Sequence, residues 1–355
     1  MKQRPALLEG APGRASARAQ PSTGFVQANP PSTDEDRPSR TKLYALLLLL
    51  LLIWSINYVI AKAAVRDAPA FLVVCLRTMV SGGLMAGWAT WLRSRPRAER
   101  RRKPRPRPTL HDLPRLLAIG AGGIVGNQAL FVVGLALTSV AHGAILAALT
   151  PILVLLGSAA IGTEALTRRK LVGGVLALLG VVVLQLARAH AATAPGVSQA
   201  TLAGDLVVLA STVLFAGFAV FGKRAASEFG ATTLNVVGYV GGAALLLPFT
   251  VWQVLIHPLT SLTPTAWLGV AFMGTCPSLA GYLIYAHALK WLPASRVATI
   301  SYLQPLLATA FAVLLLGERP GVGFFAATAL VVAGVWVAQR PSTPARRAPA
   351  ADVRR

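Results

Sequence analysis

Apolar residues along this chain come in blocks of about 20, the length that carries a helix across a roughly 30 Å apolar layer at 1.5 Å per residue. Ten blocks are predicted to be membrane helices: 43–64, 70–92, 113–137, 139–162, 169–187, 204–222, 231–256, 265–289, 294–316 and 320–338. Two links are longer than a turn. One is the basic stretch RSRPRAERRRKPRPRPTLHDLPR at 93–115, and the other is ARAHAATAPGVSQATLAG at 187–204. The small, polar and Pro/Gly content of the second suits a linker between two halves. Residues 1–42, rich in Pro, Ala, Ser and Arg, lack the apolar core of a signal peptide and read as a disordered tail.

Composition agrees with a bilayer protein. Hydrophobic residues make up 55% of the chain and charged residues 13%, against about 25% charged in soluble domains. The formal net charge is +22, from 34 Lys and Arg against 12 Asp and Glu. Nucleic-acid binding and membrane topology both produce such an excess, and its placement separates them. With a cytoplasmic N-terminus, only Lys62, Arg66, Arg188 and Arg319 fall outside, and Arg77 and Arg296 lie within spans. The remaining 28 of 34 lie in cytoplasmic tails and loops or flank them. That is the positive-inside pattern. It accounts for the charge without nucleic acid, for which no aromatic-interleaved module is present. Cys75 and Cys276 sit singly in apolar blocks, so neither a disulfide nor a metal site is expected.

The chain repeats itself. LTPILVLLGSAAIGTE at 149–164 is answered by LQPLLATAFAVLLLGE at 303–318. An offset of 154 pairs Leu149 with Leu303, Pro151 with Pro305, Glu164 with Glu318, Phe131 with Tyr285 and Gly180 with Gly334. Earlier in each copy an offset of 161 pairs Trp54 with Phe215, Val59 with Val220 and Lys62 with Lys223. Each copy holds five predicted helices, an odd number, so the second enters the membrane from the opposite side. The expected fold is therefore an all-α integral membrane protein, ten transmembrane helices arranged as two inverted five-helix repeats. The layout is a tail at 1–42, a first repeat at 43–187, a linker at 188–203, a second repeat at 204–338 and a basic cytoplasmic tail at 339–355.

Pro151 and Pro305 fall near the middles of matched blocks. Each is expected to kink its helix and free a carbonyl, at Ala147 and Ser301 respectively. Paired kinks at mid-depth point to a cavity between repeats, while single prolines in membrane helices are ordinary packing features. Glu164 and Glu318 each end one block just before another. They read either as structural carboxylates facing the positive N-terminus of the following helix, with Arg168 a partner for Glu164, or as gating carboxylates at the two membrane faces. Gly122/Gly126 and Ala329/Ala333 have the spacing of close helix packing, within the bundle or across a homodimer seam.

WSINYVIAK at 54–62, Arg77 in the second helix, the Phe131/Tyr285 and Pro/Glu spacings, and the 5+5 layout together resemble the EamA family of the drug/metabolite transporter superfamily. The resemblance spans about residues 43–338. It implies a ten-helix permease of the inner membrane with cytoplasmic termini and a central cavity, from a family that exports amino acids, other metabolites or toxic compounds. The chain departs from the family pattern at Phe215, where tryptophan is frequent, at Phe218 opposite Asn57, and in GTE where GE is usual.

Polar and aromatic residues deep in apolar blocks are the candidates for substrate contact. Trp54 and Asn57 share a face of the first helix. Asn127 and Phe131 share one on the third, and Ser278, Tyr282 and Tyr285 form the matching stripe on the eighth. Ser301 and Gln304 flank Pro305, and Phe215 and Phe218 supply apolar walls. For Asn57 the competing reading is an interhelical hydrogen bond, and for the aromatic stripes it is packing. Arg77 can bind a carboxylate in a fork or pair with a backbone carbonyl. His142 can titrate near neutral pH or simply hydrogen-bond.

No nucleotide-binding loop or zinc-protease motif is present, and His142, Glu164 and Glu318 are too scattered to form a catalytic set. The expectation is a non-enzymatic secondary transporter without cofactor or metal. It would move a small metabolite such as an amino acid or related compound across the cytoplasmic membrane, exporting by alternating access. The alternative is a non-transporting membrane sensor or assembly partner built on the same bundle.

Overall fold

Outside short turns and links the described polypeptide is helical, as lipid requires: a backbone without water must satisfy its N–H and C=O groups within the segment. The computed structural model describes residues 38–94, 108–162, 166–191, 200–291 and 303–339. Both tails beyond these bounds, most of the basic stretch, Glu164, the middle of the linker and Ser301 lie outside the described residues.

In chain order the helices are α1 (Arg40–Asp67), α2 (Ala70–Ser94), α3 (Leu113–Leu137), α4 (Val140–Ala160), α5 (Arg168–Ala191), α6 (Leu202–Phe229), α7 (Ala231–Ile256), α8 (264–291), α9 (Gln304–Leu316) and α10 (Val322–Gln339). The first eight are long and apolar enough to cross a bilayer; α9 and α10 are shorter apolar helices. No strand occurs among the described residues. Their starts follow from local chemistry. The hydroxyls of Ser39, Ser139, Thr201 and Thr263 accept hydrogen bonds from the N–H groups of Lys42, His142, Gly204 and Ala266, capping α1, α4, α6 and α8.

Contacts between the halves are reciprocal. The third helix of the first half, α3, packs on α6 and α7; the third helix of the second, α8, packs on α1 and α2. The final helices of each half, α5 and α10, pack on each other. Close approach relies on glycines other than those the spacing predicted. A Cβ on Gly120 would lie 2.8 Å from the Cα of Gly238, joining α3 to α7. One on Gly334 would lie 2.5 Å from the Gly173 carbonyl, joining α10 to α5. Gly122 meets nothing within 4 Å, Gly126 has only an ordinary contact, and Ala329 is exposed. Spacing alone does not say which side of a helix faces protein and which faces lipid.

One helix departs from regular α geometry where the repeat predicted special behaviour. Pro151 does more than kink α4: the helix stops at Ala148 and restarts with Thr150 and Pro151 in its first turn. The Ala147 carbonyl, left without an N–H by the proline, accepts the Thr150 hydroxyl at 2.7 Å. Pro305 is buried in the first turn of α9, and the residues before Leu303 lie outside the described range.

Candidate functional site

The two third helices are both widened at mid-length. α3 is π-helical over Ala118–Gly126, the glycine-rich AIGAGGIVG, and α8 over Cys276–Gly281. Such widenings are rare and concentrate at functional sites. In α8 the cause is legible. Pro277 has no N–H to give the carbonyl four residues back, so the Met273 oxygen is free for other donors. It takes the Ser278 hydroxyl at 2.8 Å and Nη2 of Arg77 at 3.4 Å.

Arg77 is the centre of the arrangement. It projects from α2 and is only 2% exposed. Nη2 also donates to Gln128 Oε1 at 3.0 Å and lies 3.5 Å from Ser278 Oγ, and Nη1 faces Met273 Sδ at 3.7 Å. Gln128 in turn donates from Nε2 to the Tyr239 hydroxyl at 2.9 Å, and Tyr239 meets Tyr282 edge to face with ring centres 5.9 Å apart. Side chains from α2, α3, α7 and α8 thus converge on one guanidinium. Every acceptor it has is neutral. Its Nε–H has none, and no ion pair with Arg77 occurs among the described residues. Burying an ion without a counter-charge costs several kcal/mol. A guanidinium held this way keeps the fork geometry that recognises carboxylates.

The predicted residues divide around this centre. Phe218 and Tyr282 pack into the cluster that contains Tyr239. Trp54 lies against Gly281 at the end of the α8 widening and stacks near Tyr285, ring centres 5.9 Å apart. Phe215 lies 6.3 Å from Phe218. Asn57 is buried and its Oδ1 has no partner, so the expected interhelical bond is not made by that oxygen. Phe131 instead packs edge to face on Tyr58, at 4.8 Å. Asn127 gives its amide to the Ser211 carbonyl of α6 at 2.8 Å and acts as a helix–helix tie. Gln304 is half-buried at the start of α9. Sequence reasoning passed over Gln128, Tyr239 and Met273. Gln128 carried the same signal as its neighbour Asn127, a polar side chain inside an apolar block; Tyr239 and Met273 carried none.

Glu318 needs a correction. It does not face the following helix, α10. Gly317 ends α9 at φ +66°, a left-handed conformation natural to glycine, and Glu318 turns back across the bundle. Its carboxylate, 4% exposed, accepts the N–H groups of Val140 and Ala141 at 3.0 and 3.5 Å, the first residues of α4 in the other half. It therefore caps a helix N-terminus as the dipole argument requires, but a distant one. Lys62 performs the opposite service next door. Its Nζ donates to the carbonyls of Leu135, Ala136 and Thr138 at 2.8, 3.3 and 2.6 Å, at the C-terminal end of α3.

A model of the EamA-like transporter family matches residues 41–186 and again 202–339. The chain belongs to the EamA-like transporter family. Each match covers one of the two halves whose third helices widen around Arg77. A probable amino-acid metabolite efflux pump of Escherichia coli is 26% identical, over 82% of this chain and 93% of its own length. The aromatic amino acid exporter YddG of Ancylobacter novellus is 26% identical, over 84% of this chain and 98% of its own length. One solved crystal structure has 25% identity and a TM-score of 0.55, covering 85% of this chain and 98% of that one. This EamA-like chain is accordingly a multi-pass, two-repeat membrane transporter.

Proposed function

We propose that the protein is a secondary permease of the cytoplasmic membrane. It exports a small carboxylate-bearing metabolite, such as an amino acid or related compound, by alternating access between two inverted five-helix repeats. In this reading all ten helices span, and both termini are cytoplasmic. The observation that carries it is Arg77: a buried cation with no counter-charge among the described residues, held between one widened helix from each half. A substrate carboxylate would supply the missing charge, and the rings of Phe218, Tyr282, Trp54 and Tyr285 would line the remainder. The exporters among the relatives support the direction and the compound class.

The test is counterflow of radiolabelled amino acids in proteoliposomes containing the full chain. Flux is expected for at least one amino acid and not for its amide, which lacks the carboxylate. Arg77→Lys keeps the charge but not the fork and should cut that flux by roughly tenfold or more. Equal flux of acid and amide, or an unimpaired Arg77→Lys protein, would remove Arg77 from the substrate site.

A further inference from the structure

The shortest hydrogen bond of Arg77 goes to a side chain whose chemistry the transport reading leaves unused. Gln128, on α3 just past the π-helical stretch, is half-buried and bonds through both ends of its amide. Oε1 accepts Nη2 of Arg77 at 3.0 Å, and Nε2 donates to the Tyr239 hydroxyl at 2.9 Å. The amide has one workable orientation, because Nε2 turned toward the guanidinium would set donor against donor. The other contacts of Arg77 are longer. Met273 O and Ser278 Oγ face Nη2 at 3.4 and 3.5 Å, and Met273 Sδ faces Nη1 at 3.7 Å. Gln128 therefore fixes one arm of the fork. It leaves Nη1 to a thioether, a weak acceptor, and Nε–H uncommitted.

A tie between helices is built differently. The neighbouring Asn127 gives its amide to a backbone carbonyl of α6, a bond indifferent to what the site holds. Both partners of Gln128 are side chains, and one of them is the buried cation. Glutamate has the shape of glutamine, so its carboxylate could stand where Oε1 stands. It would give Arg77 the counter-charge missing among the described residues. The Tyr239 hydroxyl, which can donate as well as accept, could serve the second oxygen. A buried ion left uncompensated is the costlier arrangement. Folding thus favours an acid at this position, and the chain has an amide. The amide positions the guanidinium without neutralising it.

We propose that Gln128 is a positioning residue that sets specificity: it aims the Arg77 fork and, by being uncharged, keeps the site selective for a carboxylate. This deepens the transport reading and rests on its assignment of Arg77 to the substrate. The substrate carboxylate takes the place that an acid at 128 would otherwise fill. A compound whose acid is replaced by an amide leaves the cation buried and uncompensated, so rejection reinforces recognition. Tyr239 completes the device. Its hydroxyl holds Nε2, which keeps Oε1 on Nη2 while an arriving carboxylate takes the uncommitted N–H groups.

Counterflow of the radiolabelled common amino acids, each beside its amide, in proteoliposomes of the full chain reads the proposal as an acid-to-amide ratio. The wild type should favour the acid. Gln128→Glu should lower acid flux by about 100-fold and abolish the preference, because the cation is already paired. Its denaturation midpoint in detergent should hold or rise. Gln128→Met removes both bonds without adding charge. Acid flux should then fall by about tenfold through a higher KM, with the acid still preferred. A Gln128→Glu protein with the wild-type ratio or a lower midpoint overturns the proposal, as does a Gln128→Met protein with wild-type flux. Failure of the transport reading looks different. A wild type that treats acid and amide alike removes Arg77 from the substrate site, and Gln128 with it. A selective wild type that is impaired by Arg77→Lys but indifferent to Gln128→Glu keeps Arg77 and strikes Gln128 alone.

Discussion

The centre of the bundle and the α3–α4 turn hold charge in opposite ways. At the turn Lys62 and Glu318 each meet a complementary helix end. Lys62 sits on the carbonyls that finish α3 and Glu318 on the amides that begin α4. Helix termini carry unpaired backbone groups and a partial charge, so a side-chain ion there completes the fold. At the centre, among the described residues, Arg77 meets only neutral oxygens and a sulfur, and its Nε–H meets none of them. Burial alone therefore conceals unequal roles: the turn ions complete helix ends, whereas the central cation is buried without a counter-charge among the described residues.

The sharpest break of that comparison is Arg77→Met. Transport should fall by about 100-fold or more, because the charge that orients a carboxylate is gone. Stability in detergent should hold or rise, since replacing a buried ion with a hydrophobe of similar volume is often neutral or stabilising. A protein that loses thermal stability while keeping flux would reverse the roles assigned to the two regions.

Glu318→Ala should do the opposite. It strands the buried Val140 and Ala141 N–H groups, at about 1–3 kcal/mol, read as a lower denaturation midpoint. Glu318→Gln keeps an acceptor and should recover about half of that loss. Lys62→Met should cost somewhat less, roughly 1–2 kcal/mol, because the carbonyls it covers each retain a second lone pair for other donors.

The smallest effect belongs to a carboxylate outside the bundle, half-exposed to water. Asp112, just before α3, accepts the backbone N–H and the hydroxyl of Thr109 at 2.9 and 2.7 Å, and these bonds hold its carboxyl below the usual aspartate range. A depressed folded-state value means the contribution is present above the unfolded aspartate pKa of about 3.9 and is lost as pH falls through the folded one. Carboxyl NMR titration should show the depression, and Thr109→Ala, which removes the hydroxyl but keeps the larger contribution of the backbone N–H, should relieve only the smaller part of it.

Much of the architecture was legible because lipid leaves the backbone few choices. The blocks at 70–92, 113–137 and 231–256 became helices with nearly those bounds, and the 154-residue echo located both halves. Pro151 interrupts its helix, since a missing N–H is a local fact. The candidate site was harder. Asn127 and Gln128 are adjacent and equally polar, yet one ties α3 to α6 and the other holds Arg77. A 100° rotation about the helix axis separates them, and a sequence does not state which neighbour stands at each angle.

Sequence alone determined the class of protein, the helical segments and the doubling, because these follow from hydropathy, length and self-similarity along the chain. Tertiary structure decided where each charge points. Glu318 is two residues from Pro320 and 178 from Val140, but it caps the helix that begins at Val140. Asp205 stands 63 residues from His142 and bonds to it. Electrostatics and hydrogen bonding act through distance in space, and folding sets that distance only when helices far apart in the chain come to share an end.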